Sequence, residues 1–529
     1  MFRQTGGIRQ GDAMSGPIFN AITMMGNSKL NPKFGYKIGN GVVVVERLFA
    51  DDEVVVSESR EGLQKLTDAI TANYRKCGLQ MNPRKCKTLS IVQDRKRKKW
   101  AVDRTPFLMI DGAEVSTIDV GETYKYLGIQ LGACGPDHAS ILEMVQRRLV
   151  SLSNASLKPQ QKVAAVRDHL VPSLYHLLTF SKVGVVKLRC LDRMMRRWVK
   201  RWLHLPKDVC NAAFHASVGD GGLGIASLEF RIRRLRRKRT EALSNSSDPV
   251  VLALLGTPRA VARLTRLNLE IRLGRTIIEN SQTENAAWRE ELVRSVDGGG
   301  LTMHADCPKL SQWVTDDSYN LKGGEFIRAI HVRLNSMLTP SRATRGRRIA
   351  DANKCRLDRQ IANSTHIVQV CAASHGLRVK RHDKVVRRIG AALSKKGFKI
   401  LYEPRLPYQR TFRKPDLLVW KGQRAYILDP IICGDRVCLE ERQMGKQLLY
   451  GDQEVTARAL ERIEESGSRL ETISAHGIAM NFRGAMTNLT VRFLKELGVT
   501  ARELNYMIVG QLNDSWGMLR TYRDNTAVA

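Results

Sequence analysis

Two adjacent carboxylates in the middle of an apolar run fix the local geometry around Asp51 and Asp52. From Gly41 the chain reads GVVVVERLFADDEVVVS, a run of β-branched residues that an acidic pair interrupts. That pattern predicts strand, tight turn, strand. Like charges a few ångströms apart raise each other's pKa unless a cation lies between them. A divalent ion such as Mg2+, which takes hard oxygen ligands, removes that cost. The same pair on an acidic surface turn needs no ion, and by themselves the residues fit both readings.

The surroundings of the pair carry more. Phe49-Ala50-Asp51-Asp52 resembles the aromatic-x-Asp-Asp signature of reverse transcriptases, in the alanine form found in non-LTR retrotransposons. Upstream, GIRQGD (7–12) followed by SGPIFN (15–20) resembles the palm segment beside template and incoming nucleotide. Downstream, GLQMNPRK (78–85) resembles the next palm motif and YKYLGI (124–129) the hairpin that grips the primer. The resemblance implies a partial palm over residues 1–132, with Asp51 and Asp52 as catalytic Mg2+ ligands and Arg9, Gln10 and Lys85 against a deoxynucleoside triphosphate. Physically, Gly6, Gly7 and Gly11 permit close backbone approach, and the Arg9 guanidinium suits phosphate. Gln10 and Lys85, taken singly, also read as solvated surface. The apolar run PIFNAITMM (17–25) is expected to seat the following helix under the sheet.

In reverse transcriptases a further catalytic aspartate comes from a palm strand well before the RQGD segment, and two-metal transfer needs it. Too little chain precedes Arg9 to hold that strand. The expectation is therefore a carboxy-terminal part of a larger polyprotein, with Met1 an internal or cloning boundary and polymerase activity lacking in this length alone.

After the palm remnant the period turns helical. Ile141, Val145, Leu149 and Leu152 recur at spacings of three and four, as do Leu188, Leu191, Met195, Trp198 and Trp202. The opposite faces carry Arg193, Arg196, Arg197, Lys200 and Arg201, so 133–300 resembles the helical thumb that holds primer and template. Two dense cationic runs stand out. Arg95-Lys96-Arg97-Lys98-Lys99 precedes Trp100, and RIRRLRRKR (231–239) includes Arg233, Arg234, Arg236, Arg237, Lys238 and Arg239. Both fit phosphate backbones; the first also fits an import signal or a solvated loop. A formal net charge of +34 points the same way, toward a polyanionic partner.

Residues 301–400 read as a linker. His304 and Cys307 lack partners at structural-zinc spacing. Cys355, His366 and Cys371 offer three of the four ligands of tetrahedral zinc. The stretch THIVQVC (365–371), followed by SHG (374–376) and RHD (381–383), resembles the Cys-Cys-His-Cys knuckle and downstream helix of non-LTR elements with a restriction-like endonuclease. The second cysteine is absent, with Asp358 near its place, so Zn2+ and a formerly metal-tied fold held by packing both remain open.

A second acidic centre begins at Arg413-Lys414-Pro415-Asp416. An apolar stretch, a KGQR turn and a second apolar stretch lead to Asp429, thirteen positions on, and Lys446 follows seventeen later. A hairpin so placed brings Asp416 and Asp429 to one sheet edge as Mg2+ ligands. Lys446, on a helix from about Glu440, would orient or polarise the attacking water. The set resembles the catalytic residues of restriction-like endonucleases, and KQLLY (446–450) the family's Lys-x3-Tyr segment, with Leu449 where relatives tend to carry a second lysine. Residues 401–529 are assigned to this domain.

The whole is an α+β multidomain chain that resembles the polyprotein of a site-specific non-LTR retrotransposon, of the lineage inserting in arthropod 28S ribosomal RNA genes. The resemblance implies an RNA-directed DNA polymerase and DNA endonuclease acting in target-primed reverse transcription. Its partners would be element RNA, target DNA and deoxynucleoside triphosphates. No uncharged run of 18 apolar residues appears, so no membrane partner is expected. The scattered cysteines do not form a secreted disulfide framework. The nucleus is the location expected from the DNA target. An intron-type maturase shares the palm but would end in a different nuclease. A nucleic-acid-binding fragment of a decayed element is the non-enzymatic alternative.

Overall fold

The computed structural model describes residues 12–94, 99–133, 135–136, 139–181, 183–258, 260–261, 270–301, 307–347 and 351–527. The chain divides into two compact units, Met1–Val145 with Ser173–Leu188 and Glu229–Ile271, and Gln146–Pro172 with Arg189–Leu228 and Arg272–Ala529. The helical segment 133–300 contributes to both. The architecture is mixed α+β, with several small sheets among helices.

In the first unit, the run read as a possible support for a helix is itself helix α1 (Ser15–Asn27), and it does not sit apolar side down. Met24 and Met25 are exposed, while Thr23 and Asn27 are buried. The reason lies in its partner: the Asn27 amide donates to Glu46 Oε2 at 2.6 Å and Glu53 Oε1 at 3.2 Å, so a polar face meets the acidic hairpin. That hairpin is β1 (Glu46–Phe49) against β2 (Asp52–Val55), antiparallel with Phe49 opposite Asp52. Ala50 and Asp51 form the two-residue loop. Ala50 has φ of +53°, the left-handed start that lets a two-residue loop follow strand twist. Helix α2 (Arg60–Lys76) begins at Ser59, whose hydroxyl accepts from the Gly62 amide, and buries Leu66 and Ile70. Two further hairpins follow, β3 (Ser90–Asp94) with β4 (Lys99–Asp103), and β5 (Thr123–Tyr126) with β6 (Ile129–Gly132). The second turns at Leu127 and Gly128, both with positive φ.

The expected helical stripes are helices. Ile141, Val145 and Leu149 are buried, with Leu152 half-buried. Three helices matter below: α3 (Tyr175–Phe180), α4 (Val185–Trp202) and α5 (Leu228–Ser244). Along α4, Leu188, Leu191, Met195 and Trp202 are buried and Trp198 is half-buried.

The second unit contains helix α6 (Gly323–Arg333), helix α7 (His375–Ser394) and a four-stranded sheet. Its strands are β7 (Lys399–Tyr402), β8 (Leu417–Lys421), β9 (Arg424–Cys433) and β10 (Thr472–Asn481), in that spatial order. The first three pair antiparallel and β10 lies parallel to β9. A parallel neighbour needs a crossover, and helices α8 (Leu439–Tyr450) and α9 (Gln453–Glu464) supply it. Leu418 and Trp420 of β8, Ala425 and Ile427 of β9, Tyr450, and Val455, Ala459 and Ile463 of α9 form one buried cluster. The long helix α10 (Ala501–Ala527) packs on α6 and α7.

Candidate active site and metal centre

The period of a strand decides which side chains meet α8. On β8, residues 416, 418 and 420 share a face; on β9, residues 425, 427 and 429 do. Leu418, Trp420, Ala425 and Ile427 are core against α8 and α9, so Asp416 and Asp429 are carried onto that same side. Leu417 pairs with Leu428, which sets the two aspartates across from each other one step beyond the last paired residues. Lys446, on α8, places Nζ 2.7 Å from Asp429 Oδ1. Helix α8 can lie this close because its neighbour on β10 is Gly477: a Cβ there would stand 2.6 Å from the Gln443 carbonyl oxygen and 3.0 Å from Lys446 Cβ.

Around this pair the structure adds groups not singled out for a catalytic role in the sequence. His382 of α7 places Nε2 3.2 Å from Asp416 Oδ2 and 3.0 Å from the Pro430 carbonyl oxygen, and Nδ1 lies 3.6 Å from Asp383 Oδ1. The Asp416 hydrogen bond holds the imidazole protonated, up to about 9, against the opposing effect of burial. Asp429 is 4% exposed. Burial pushes its carboxyl up and the Asp416 charge adds to that, while Lys446 and Tyr450 pull it down. Tyr450 also donates to the Lys414 carbonyl at 3.2 Å. Each aspartate thus has one oxygen engaged by a cation, and hard carboxylate oxygens opposed across one strand pair fit a divalent ion of the Mg2+ type. Leu449 turns toward the buried cluster rather than toward this site.

The first acidic centre is more open. Asp51 in the loop and Asp52 on the face shared with Phe49 are exposed. Tyr124 and Tyr126 of β5 lie within the field of Asp52, which, after burial, helps to raise both phenols. Tyr124 donates to the Lys85 backbone carbonyl at 3.1 Å, tying the residue read as a triphosphate contact to the hairpin read as a primer grip. The Lys85 side chain itself is exposed. On the opposite face of the hairpin, Glu46 and Glu53 are bridged by Asn27, and Tyr74 donates to Glu53 at 2.8 Å. Burial and the neighbouring Glu53 raise Glu46 to about 7. Arg9 and Gln10 lie outside the described residues.

Cys355, His366 and Cys371 are all buried, and their ligand atoms lie within 4.8 Å of one another. The two sulfurs are 3.9 Å apart. Neither ring nitrogen of His366 has a hydrogen-bond partner despite burial, although Asp358 Oδ2 stands 3.5 Å from Nε2. Burial also keeps His366 neutral, the form that ligates. An orphaned imidazole beside two thiols fits a metal of the Zn2+ type, with three protein ligands in the cluster. His304 lies outside the described residues; Cys307 has the Lys495 ammonium at 3.2 Å instead.

The cationic runs differ in character. Residues 95–98 lie outside the described residues, and Lys99 opens β4 opposite Asp94. On α5, Arg236 is committed inside the fold, donating to the carbonyls of Leu178, Ser181 and Val183 at the end of α3. Arg239 stacks over Phe180 at 4.3 Å, Arg237 pairs with Glu241, Arg233 donates to the Glu270 carbonyl, and Lys238 is exposed.

Residues 1–131 match the family described as Reverse transcriptase (RNA-dependent DNA polymerase). Along nearly its whole length the chain is similar to retrovirus-related Pol polyproteins of R2 elements. It is 32% identical over 512 residues to that of the type-2 retrotransposable element R2DM of Drosophila melanogaster, covering 96% of this chain and 47% of the relative. With the type-1 element R2 of Nasonia vitripennis it shares 30% identity over 501 residues, 94% of this chain and 47% of the relative. A type-1 R2 polyprotein of Popillia japonica is 30% identical over 459 residues, 84% and 61%. The chain is similar along most of its length to the Pol polyproteins of R2-like non-LTR retrotransposons. It spans about half the length of the first two of these relatives.

For an R2-like chain, the groups that sequence reasoning passed over have different visibility. His382 lies in the RHD stretch (381–383), where no sequence spacing encodes its contact with Asp416. Glu46 and Glu53 were legible only as strand residues, because their pairing runs through Asn27, just past an apolar run expected to support a helix.

Proposed function

We propose that this R2-like chain provides the DNA-nicking centre of a protein that carries out target-primed reverse transcription. The carrying observation is Asp416 and Asp429 on one strand pair, with Lys446 Nζ 2.7 Å from Asp429 Oδ1. A bound Mg2+ would lower the pKa of an attacking water and offset charge on the phosphoryl oxygens. Asp416 and Asp429 would hold that ion. His382 fixes the orientation of Asp416 from one side, as Lys446 does for Asp429 from the other. The Lys446 ammonium also faces the phosphodiester and balances the charge that builds as water oxygen bonds to phosphorus and the bridging P–O bond breaks. The leaving oxygen takes up a proton and becomes the free end.

In the intact protein, Asp51 and Asp52 would serve as Mg2+ ligands for nucleotidyl transfer onto that end, copying element RNA from deoxynucleoside triphosphates. Residues 1–132 would then be palm, 133–300 thumb, 301–400 a linker holding the Cys355, His366, Cys371 centre, and 401–529 the nuclease, acting in the nucleus. The test is nicking of supercoiled plasmid with Mg2+. Asp416→Ala and Asp429→Ala are expected to abolish nicking while circular dichroism and DNA gel shift stay as in the wild type. Wild-type nicking by folded Asp416→Ala would remove the assignment.

A further inference from the structure

The cationic side of α4 borders two adjoining cavities of different character. One, of about 380 Å3, is lined by Cys190, Met194 and Trp198 together with Arg193, Arg197 and Arg201. The other, about 790 Å3, shares those three arginines and adds Arg196, Lys200 and Lys207. Both volumes fall in the span of roughly 300–1,000 Å3 typical of small-ligand sites. No carboxylate lines either cavity among the described residues.

The cations of the larger cavity are not equivalent. Lys200 Nζ donates to the carbonyls of Lys207 at 2.7 Å and Val209 at 3.1 Å, and Arg196 Nη1 is 2.8 Å from His215 Nε2, so these two build the wall. Arg193, Arg197 and Arg201 are exposed and recur every four residues, which lines them along one side of the helix at about 6 Å of rise per step. Trp198 is half-buried against Trp202, ring centroids 5.9 Å apart, with the Arg201 guanidinium 5.4 Å from its centre. Trp202 is itself anchored, its indole N–H donating to Ser153 at 3.2 Å.

A row of exposed guanidinium groups suits one sugar-phosphate strand. An aromatic and two sulfur-bearing side chains in a recess beside that row suit something flat and apolar that travels with the phosphates. In a duplex the base faces are stacked away; in a single strand an unpaired base can turn out and stack on an indole. We propose that α4 carries a single-stranded nucleic-acid site: one unpaired base enters the cavity lined by Trp198 while phosphates of the same strand lie along Arg193, Arg197 and Arg201. This rests on the nucleic-acid reading above and adds the strand state and the residues that select it.

The test uses the full chain and fluorescence anisotropy with labelled oligo(rU), oligo(dT) and a blunt DNA duplex. Trp198→Ala is expected to weaken single-strand binding about 5- to 150-fold, the span that ~1–3 kcal/mol of base–aromatic stacking represents, with a smaller loss on duplex. Trp198→Phe, which keeps an aromatic face, should retain most of the affinity and guards against a folding artefact. Arg193→Gln with Arg197→Gln should lower the salt slope by roughly 0.7 for each phosphate contact removed. Equal binding of the two oligonucleotides assigns the site to the shared base-and-phosphate chemistry; preference for oligo(rU) assigns it to RNA. Wild-type single-strand affinity in Trp198→Ala, or equal losses on single strand and duplex, would overturn the proposal. Plasmid nicking succeeds or fails separately, so loss of this site and loss of the nuclease reading are distinguishable.

Discussion

At Lys446 a single ammonium has two tasks that one experiment can separate. It pairs with buried Asp429 in the resting site, and in the proposed reaction it would face the phosphate. Replacing it by Ala keeps both candidate metal ligands but removes the charge that meets the transition state. Nicking is expected to fall about 100- to 10,000-fold with Mg2+ affinity largely retained; an unchanged rate would leave Lys446 a purely structural partner. A different carboxylate reports on pH. Glu46 is raised to about 7 by burial and by Glu53, above the ordinary value of ~4.3. Its neutral form is the one the fold favours. That contribution to stability is fully present below about 4.3 and is lost as pH rises through about 7. Thermal melts of the wild type should therefore decline between roughly pH 5 and 8 more steeply than those of Glu46→Gln, which stays neutral throughout. Parallel melting curves would contradict the assignment.

Elements explain why some of this was readable in the sequence and some was not. The Asp51 hairpin and the Asp416–Asp429 strand pair were legible because short turns between largely apolar runs specify a hairpin, and the turn length fixes its register. The stripes of α4 were legible because a 3.6-residue period writes burial into sequence. What the pattern could not give was commitment. Arg236 belongs to the same cationic run as Lys238, yet it caps α3 through backbone carbonyls while Lys238 is exposed. Likewise the apolar run expected to support a following helix is itself α1, and it makes its contact through Asn27. Close approach was equally hidden: Gly477 sits in a strand, and only the packed helix shows why it lacks a side chain. Gly477→Ala would bring a Cβ 2.6 Å from a backbone oxygen of α8, and a helix backbone yields less readily than a side-chain end. The expected result is a destabilisation of about 1–3 kcal/mol in urea melts, together with reduced nicking as Lys446 is carried away from Asp429. Full stability with full nicking would mean that α8 can shift without consequence.

Over the whole molecule, the net charge of +34 overstates the surface available to a polyanion. Arg333, Arg342, Arg381 and Arg483 are buried, and they hold loops together. Arg333 donates to the Gly221 and Val218 carbonyls and to Ser311 Oγ, while Arg483 donates to the carbonyl of Arg333. Arg342 Nη1 lies 2.9 Å from Asp297 Oδ1, both side chains 3% exposed. Asp297 also accepts from the Cys210 amide at 2.7 Å. Removing one member of such a pair strands a buried charge, a loss of about 3–5 kcal/mol, whereas replacing both by apolar groups of similar volume is often near neutral. Arg342→Met should therefore lower urea stability by that amount, and adding Asp297→Leu should recover much of it. Neither change should alter the salt dependence of DNA binding by the folded protein, because a buried guanidinium releases no counterion. Lys238→Gln should do the reverse, leaving stability almost unchanged and reducing the log–log salt slope by roughly 0.7–0.9 if Lys238 meets one phosphate. A salt slope that fell equally in Arg342→Met and Lys238→Gln would show that buried and exposed cations serve the same surface, and the division between them would have to be abandoned.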